Sequence, residues 1–230
     1  MLLEVVTPLA DARIGPLLDA AFQRPAAESL LALEFARHYP AYDPGLSLVA
    51  SEDGVAVGYA LFVPRTFRLS GAFVRCAVLA PLGVHPNHQR RGIGRFLVRT
   101  GLGALKDRGL RAAVVLGASE YYGAFGWESA FDVHAVRAPV QVLPDEGDTS
   151  GWRGLAGSDL ATLCGIQAAN YAECDGTEQR FAAPLDWESR GREAHTLVHE
   201  HARGVDAWLR FRVRSEVEIA ECGARDAAGL

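Results

Sequence analysis

Residues 82–109 read LGVHPNHQRRGIGRFLVRTGLGALKDRG, and the way this stretch starts decides the fold. The apolar positions Ile93, Phe96, Leu97, Ala104 and Leu105 recur at helical spacing, so a helix is predicted over 91–107, with Gly109 just past its end. Its first turns are crowded with Arg90, Arg91, Arg95 and Arg99. Positive charge there opposes the helix dipole, and Arg91, Arg95 and Arg99 repel one another at i, i+4, each effect costing about 0.3–1 kcal/mol. Something anionic is needed to offset them. A phosphate would do so: Gly92 and Gly94 carry no Cβ to block its approach to the N–H groups of the first turn.

Working outward, AFVRCAVLAPLGV (72–84) is predicted as a long strand and RAAVVLG (111–117) as a short buried one. A helix between two such strands implies a βαβ crossover. Upstream, LLEVVTP is a strand, 11–23 and 27–38 are helices, and PAYDPG (40–45) breaks the chain. LSLVAS and GVAVGYALFVP, joined through Glu52 and Asp53, form a hairpin. The class is α+β with an α/β-type mixed sheet. Pro81 sits inside the long strand, where a missing ladder donor favours a bulge or a split.

Composition narrows the function classes. The 230 residues carry a formal charge of −5 with 49% hydrophobic content. This suits a folded protein rather than a general nucleic-acid binder, which needs a surplus of Lys and Arg across a face. The opening MLLEVVTPLA lacks a basic leader region, and the apolar run CAVLAPLGV is about half of what a membrane span needs. Four cysteines, Cys76, Cys164, Cys174 and Cys222, show no paired spacing, which fits free thiols in a reducing compartment. A cytoplasmic protein that engages neither membrane nor nucleic acid is expected.

Two phosphate loops are excluded by spacing: a dinucleotide fingerprint needs glycine where Leu97 stands, and a P-loop needs Gly-Lys-Ser/Thr. What remains is Gln89-Arg90-Arg91-Gly92-Ile93-Gly94, after a long strand and before a helix. This pattern resembles the acetyl-CoA signature of the GNAT acyltransferase family. The stretch GASEYYGAFGWESA (117–130) resembles the end of that family's cofactor site. The resemblance implies that acetyl-CoA is the cosubstrate, with its diphosphate held by Gln89 through Arg95. It also implies that the pantetheine arm lies along the backbone of Leu82, Gly83 and Val84, with Ser119 and Glu120 close by. Tyr122, directly before Gly123, takes the family's role of protonating the leaving thiolate. A phenol with a pKa near 10 is protonated at neutral pH and suits that task. Tyr121 is read as packing or as an acceptor contact.

The implied reaction is direct acetyl transfer, within a ternary complex, to a primary amine of a small molecule or peptide. The contrasting reading is a non-catalytic acyl-CoA-binding sensor or assembly module. Transfer needs a base for the amine, and residues 72–84 contain no acid. Glu34, His38, Asp43, His85 and Glu120 are candidates, and none is singled out.

The chain divides near residue 145, into a GNAT-like domain over 1–144 and a partial second one over 145–230. DEGDTSGWRG (145–154) is read as a linker, followed by helices over 155–173 and near 184–193 and by strands AHTLVHEH, GVDAWLRFRV and EVEIAECG. Offset by 149 to 150 residues, LSLVASEDGVAVGYALFVP and HTLVHEHARGVDAWLRFRV share an apolar triplet, a charged turn, Gly-Val and an aromatic-bearing strand. With no phosphate loop in CGARDAAGL, this half is expected to be an incomplete, cofactor-free second copy. The tandem arrangement resembles the enhanced-intracellular-survival type of acetyltransferase, whose members acetylate aminoglycosides and lysines. That group continues into a third, sterol-carrier-like domain whose terminal carboxylate serves as base. Exposed strand edges in the second half predict a homodimer. His195, His199 and His201 share strand parity and raise the idea of a zinc site, but no ligating Cys or carboxylate is fixed nearby, and no metal is expected.

Overall fold

Asp53 and Gly54 both take positive φ, 49° and 80°, and close a two-residue hairpin whose twist matches its strands. This turn sets the register of a sheet that the rest of the first half completes. The computed structural model describes residues 1–23, 26–117, 119–130, 149–187, 194–213 and 216–226. In chain order the elements are β1 (Leu2–Val5), α1 (Ile14–Phe22), α2 (Ala27–His38), β2 (Ser47–Glu52), β3 (Val55–Leu69), β4 (Ala72–Val84), α3 (Ile93–Asp107), β5 (Ala112–Val114) and α4 (Ser119–Gly123). They continue with β6 (Trp152–Gly154), α5 (Leu160–Asn170), α6 (Pro184–Trp187), β7 (Ala194–His201), β8 (Gly204–Val213) and β9 (Val217–Ala224). Two compact units result: Met1–Leu116 with Tyr171–Ala194, and Gly117–Asn170 with His195–Leu230.

The first unit is a five-stranded sheet in the order β1-β2-β3-β4-β5, antiparallel except for the parallel pair β4/β5. Alternation along β3 assigns its two faces. Tyr59, Leu61 and Val63 join Ile14, Leu17, Leu18, Ala32 and Phe35 in a core beneath α1 and α2. On the other face a Cβ at Gly58 would stand 2.7 Å from Ile93, and one at Gly101 would stand 1.9 Å from the Phe62 ring, so α3 lies unusually close to β3. Residues 176–179 run beside the far end of β3: Arg68 N–H donates to the Thr177 carbonyl (2.9 Å), and Gln179 N–H to that of Thr66 (2.8 Å).

The second unit has a four-stranded sheet, β6-β7-β8-β9, with α5 packed on β8 and β9. Leu160, Leu163 and Ile166 of α5 are buried, as are Val198 and Trp208. Asn170 fixes the end of α5 to β9 by exchanging two hydrogen bonds with the Ala224 backbone, at 2.7 and 3.0 Å. The order β-α-α-β-β-β thus occurs twice along the chain, from β1 to β4 and from β6 to β9.

Several expectations need adjustment. Trp152–Gly154, read within a linker, forms strand β6 against β7; three residues are too few to show alternation. The predicted buried strand over 111–117 is the three-residue edge β5, with Ala112 exposed. α3 begins at Ile93, two residues late, because Gly92 is left-handed. α6 is one turn long, and residues 188–193 lie outside the described residues, as do 145–148 at the expected domain boundary. All four cysteines are free thiols. Among the described residues no helix is long and apolar enough to cross a membrane.

Candidate functional site

The sheet opens along β4. β5 pairs with it only from Cys76 to Val78, and beyond Val78 no described strand lies against that side of β4. Ala80 and Pro81 together face the single residue Leu61, so the bulge expected at Pro81 is present just past the point of parting. Hydrogen bonding then decides which backbone groups face the gap. His85 N–H donates to the Val57 carbonyl at 3.0 Å, which makes His85/Val57 and Gly83/Tyr59 the bonded pairs of the antiparallel ladder. The backbone groups of Leu82 and Val84 therefore point away from β3, into the opening. Gln89 Nε2 reaches the Val84 carbonyl there at 3.2 Å. Gly83 turns its own backbone to β3, and a Cβ on it would stand 3.0 Å from Leu18 and 3.2 Å from Ala21 of α1. Glycine at this position lets α1 sit against β4.

The turn into α3 is left-handed twice, at Arg90 (φ 61°) and at Gly92 (φ 83°). Left-handed residues between ordinary ones curl successive N–H groups toward one concavity, an arrangement suited to anions. A non-glycine residue held this way is uncommon and concentrates at functional sites. The first helical bond runs from Phe96 N–H to the Gly92 carbonyl (2.9 Å), so the N–H groups of Ile93 and Gly94 lie ahead of the ladder. Ile93 and Gly94 are buried, and a Cβ on Gly92 would meet nothing within 4 Å: the turn is anchored from beneath and open above. Such a turn fits a diphosphate.

Part of the arginine charge is already balanced by a residue that sequence reasoning missed. Arg91 makes a two-point contact with Glu52, Nη2 to Oε1 and Nη1 to Oε2, both at 3.0 Å. His88 Nδ1 lies 3.3 Å from the same carboxylate and 2.8 Å from Arg91 Nη1. Glu52 closes β2 beside the Asp53-Gly54 turn, so the β2–β3 hairpin braces the loop ahead of α3. No spacing rule links positions 52 and 91. Arg90, Arg95 and Arg99 are exposed.

Ser119, Glu120 and Tyr122 lie on α4, in the second unit. Ser119 and Glu120 are exposed, and Tyr122 is half-buried among aromatics, with ring centres 5.0 Å from Tyr121 and 5.7 Å from Trp127. Its ring fills the space above Gly117, where a Cβ would stand 2.6 Å from it. Burial, reinforced by Tyr121, pushes the Tyr122 phenol above its ordinary value, so it stays protonated well past neutrality. The candidate bases are engaged elsewhere or exposed. Asp43 accepts from Gly45 N–H (2.8 Å) and from Arg108 Nε (2.5 Å); His85 Nδ1 accepts from Asn87 N–H (3.3 Å). His38 Nε2 lies 3.8 Å from Glu34. Of the three β7 histidines, His199 and His201 flank Asp206 at 2.7 and 3.0 Å, and the His195 ring lies 5.5 Å from that of Phe211. Among the described residues no group of three or more His, Cys, Asp or Glu is placed to hold a metal ion.

A mixed sheet whose one parallel pair parts beside an anion-shaped turn defines an acyltransferase-like fold. The sequence pattern of the acetyltransferase (GNAT) domain matches residues 13–130, and the chain belongs to that family. It is 38% identical over 103 residues to the uncharacterized N-acetyltransferase YjhQ of Escherichia coli (strain K12), covering 45% of this chain and 56% of that protein. To an uncharacterized N-acetyltransferase of Streptomyces griseus it is 28% identical over 163 residues, covering 62% of this chain and 39% of the other. The chain thus spans about half the length of the curated relatives it matches. In fold it is similar to a GCN5-related N-acetyltransferase from Kribbella flavida: TM-score 0.72 at 18% identity, over 98% of this chain and 57% of that one.

Proposed function

We propose that this chain moves an acetyl group from acetyl-CoA to a primary amine of a small molecule or peptide, by direct transfer in a ternary complex. The observation that carries this reading is the left-handed turn Arg90–Gly92 opening beside the outward backbone of Leu82 and Val84. The diphosphate would be gripped by N–H groups from Gly92 to Gly94, assisted by the nearby arginines. The amides of the pantetheine arm would pair with Leu82 and Val84 as an added strand does with an open sheet edge. The sulfur leaves as a thiolate and takes the proton of Tyr122, whose raised phenol pKa keeps that proton available. The repeated β-α-α-β-β-β order supports reading residues 145–230 as a partial second copy, in the tandem manner of the enhanced-intracellular-survival type.

Calorimetry with acetyl-CoA, paired with rates of thiol release in the presence of amines, tests this. Tyr122→Phe is expected to lower kcat roughly 100-fold while the acetyl-CoA Kd changes less than twofold. Normal turnover by the Phe variant would remove the acid from the mechanism. Tight binding with no transfer to any amine would make the chain a carrier-binding module instead.

A further inference from the structure

Residues 171–187 bring two carboxylates to one arginine of β3. Arg65 pairs through Nη1 with Glu178, and with Asp186 Oδ1 at 2.7 Å. Its guanidinium stands 3.9 Å from the centre of the Tyr39 ring and 5.6 Å from that of Phe35. Asp186 is occupied structurally: its side chain is 2% exposed, and its other oxygen accepts the Phe181 N–H at 2.8 Å. Glu178 is less enclosed: its side chain is 29% exposed, although the Oε1 beside Arg65 is buried. A second observation points to a ligand at this spot. The Tyr39 hydroxyl is buried, in a residue only 4% exposed, and has no hydrogen-bond partner among the described residues, although it lies within the field of Arg65, Asp186 and Glu178. A buried hydroxyl is rarely left so unless water or a bound group completes it.

The register places this cluster at the mouth of the opening. Arg65 is opposite Cys76 of β4, and two residues further on, at Val78, β4 and β5 part. Strand spacings put the Arg65 and Val78 Cα atoms about 8 Å apart. Tyr59, Leu61 and Val63 face α1 and α2, Arg65 continues that face onto Phe35 and Tyr39, and Val78 shares it as the partner of Val63. A pantetheine arm running from the turn at Gly92 along Val84 and Leu82 heads toward this point.

On the reading that the chain is an amine acetyltransferase, we propose that Glu178 is the general base, and that the Tyr39 hydroxyl completes the hydrogen bonding of a primary ammonium held beside it. The Glu178 carboxylate takes one proton from the ammonium and frees the nitrogen lone pair, which attacks the thioester carbonyl carbon. The C–N bond forms and the C–S bond breaks. The thiolate takes a proton from the acid, the surplus proton of the amide nitrogen restores that acid through solvent, and Glu178 passes its own proton to solvent, so one proton is released per transfer. The groups facing Glu178 are Arg65 from β3, Asp186 from α6, Arg180 from its own segment and Tyr39 from the end of α2. Burial raises the Glu178 carboxyl above the usual glutamate range against the pull of Arg65, toward the value a base near neutral pH requires.

The test measures initial rates against pH with acetyl-CoA and n-butylamine, spermidine or lysine amide, alongside calorimetry of acetyl-CoA binding. Glu178→Gln is expected to lower kcat/KM for the amine by 100-fold or more and to abolish the acidic limb of the pH profile. The acetyl-CoA Kd should stay within twofold. Glu178→Asp, which keeps the charge on Arg65, should retain the limb at a reduced rate, which separates the role of base from that of structural partner and covers failure of the Gln variant to fold. A Gln variant within threefold of the wild type, or an Asp variant that loses the limb, overturns the proposal. Wild-type protein that binds acetyl-CoA but acetylates none of the amines overturns it together with the transferase reading; absence of acetyl-CoA binding removes the site itself.

Discussion

The two sheets repeat one order of elements and differ at the strand that ends it. In the first unit β4 runs past a short parallel neighbour, bulges at Ala80-Pro81, and feeds a turn with left-handed residues at 90 and 92. In the second, β9 pairs with β8 and packs against α5, and the residues after it are two bends at Arg225 and Asp226. Even the hairpins correspond: Gly54 before Val55 and Gly204 before Val205 both have positive φ, 80° and 96°. Among the described residues the splayed strand edge next to a helix start belongs to the first unit, and that arrangement points backbone donors into a concavity.

The sharpest way to break this comparison is to put the same substitution at two open left-handed glycines. Gly92→Glu is expected to abolish CoA binding, a loss of more than 100-fold, because its carboxylate occupies and repels the diphosphate position. Gly204→Glu should leave CoA affinity unchanged and cost only left-handed strain, about 1–2 kcal/mol, measurable as a lower midpoint in urea. Equal losses of CoA binding at both positions would place the carrier elsewhere. Next in size, Gly101→Val drives a side chain into the Phe62 ring and lifts α3 from β3; a destabilisation of about 1–3 kcal/mol is expected by thermal unfolding. The smallest effect is expected at Glu52→Gln, which weakens the brace on Arg91. That pair is exposed, and such pairs contribute about 0–1 kcal/mol, so CoA affinity should fall no more than about fivefold. A gain in affinity would show that Glu52 competes with the phosphate for Arg91 instead of steadying the turn.

Much of this was legible in the chain. The break at Glu52 and Asp53 between apolar runs specified a hairpin, whose turn falls one residue later at Asp53-Gly54; Ile93, Leu97 and Leu105 specified the buried face of α3; and the glycines at 92 and 94 marked the turn that precedes it. β7 and β8 follow the sequence reading to the residue, since each is a β-rich run closed by turn residues. β6 was lost because three residues carry no period. Glu52, which meets Arg91, and Glu178, which meets Arg65, gave no signal.

The sequence by itself determined local conformation and the order of the elements, because periodicity, turn chemistry and glycine placement act over a few residues. Only the tertiary structure decided that Glu52 meets Arg91 across 39 positions, that Arg65 meets Asp186 across 121, and that Leu82 and Val84 rather than Gly83 turn their backbone to the gap. Those outcomes depend on strand register and on the packing of separate segments, and side chains brought together only by folding leave no spacing to read.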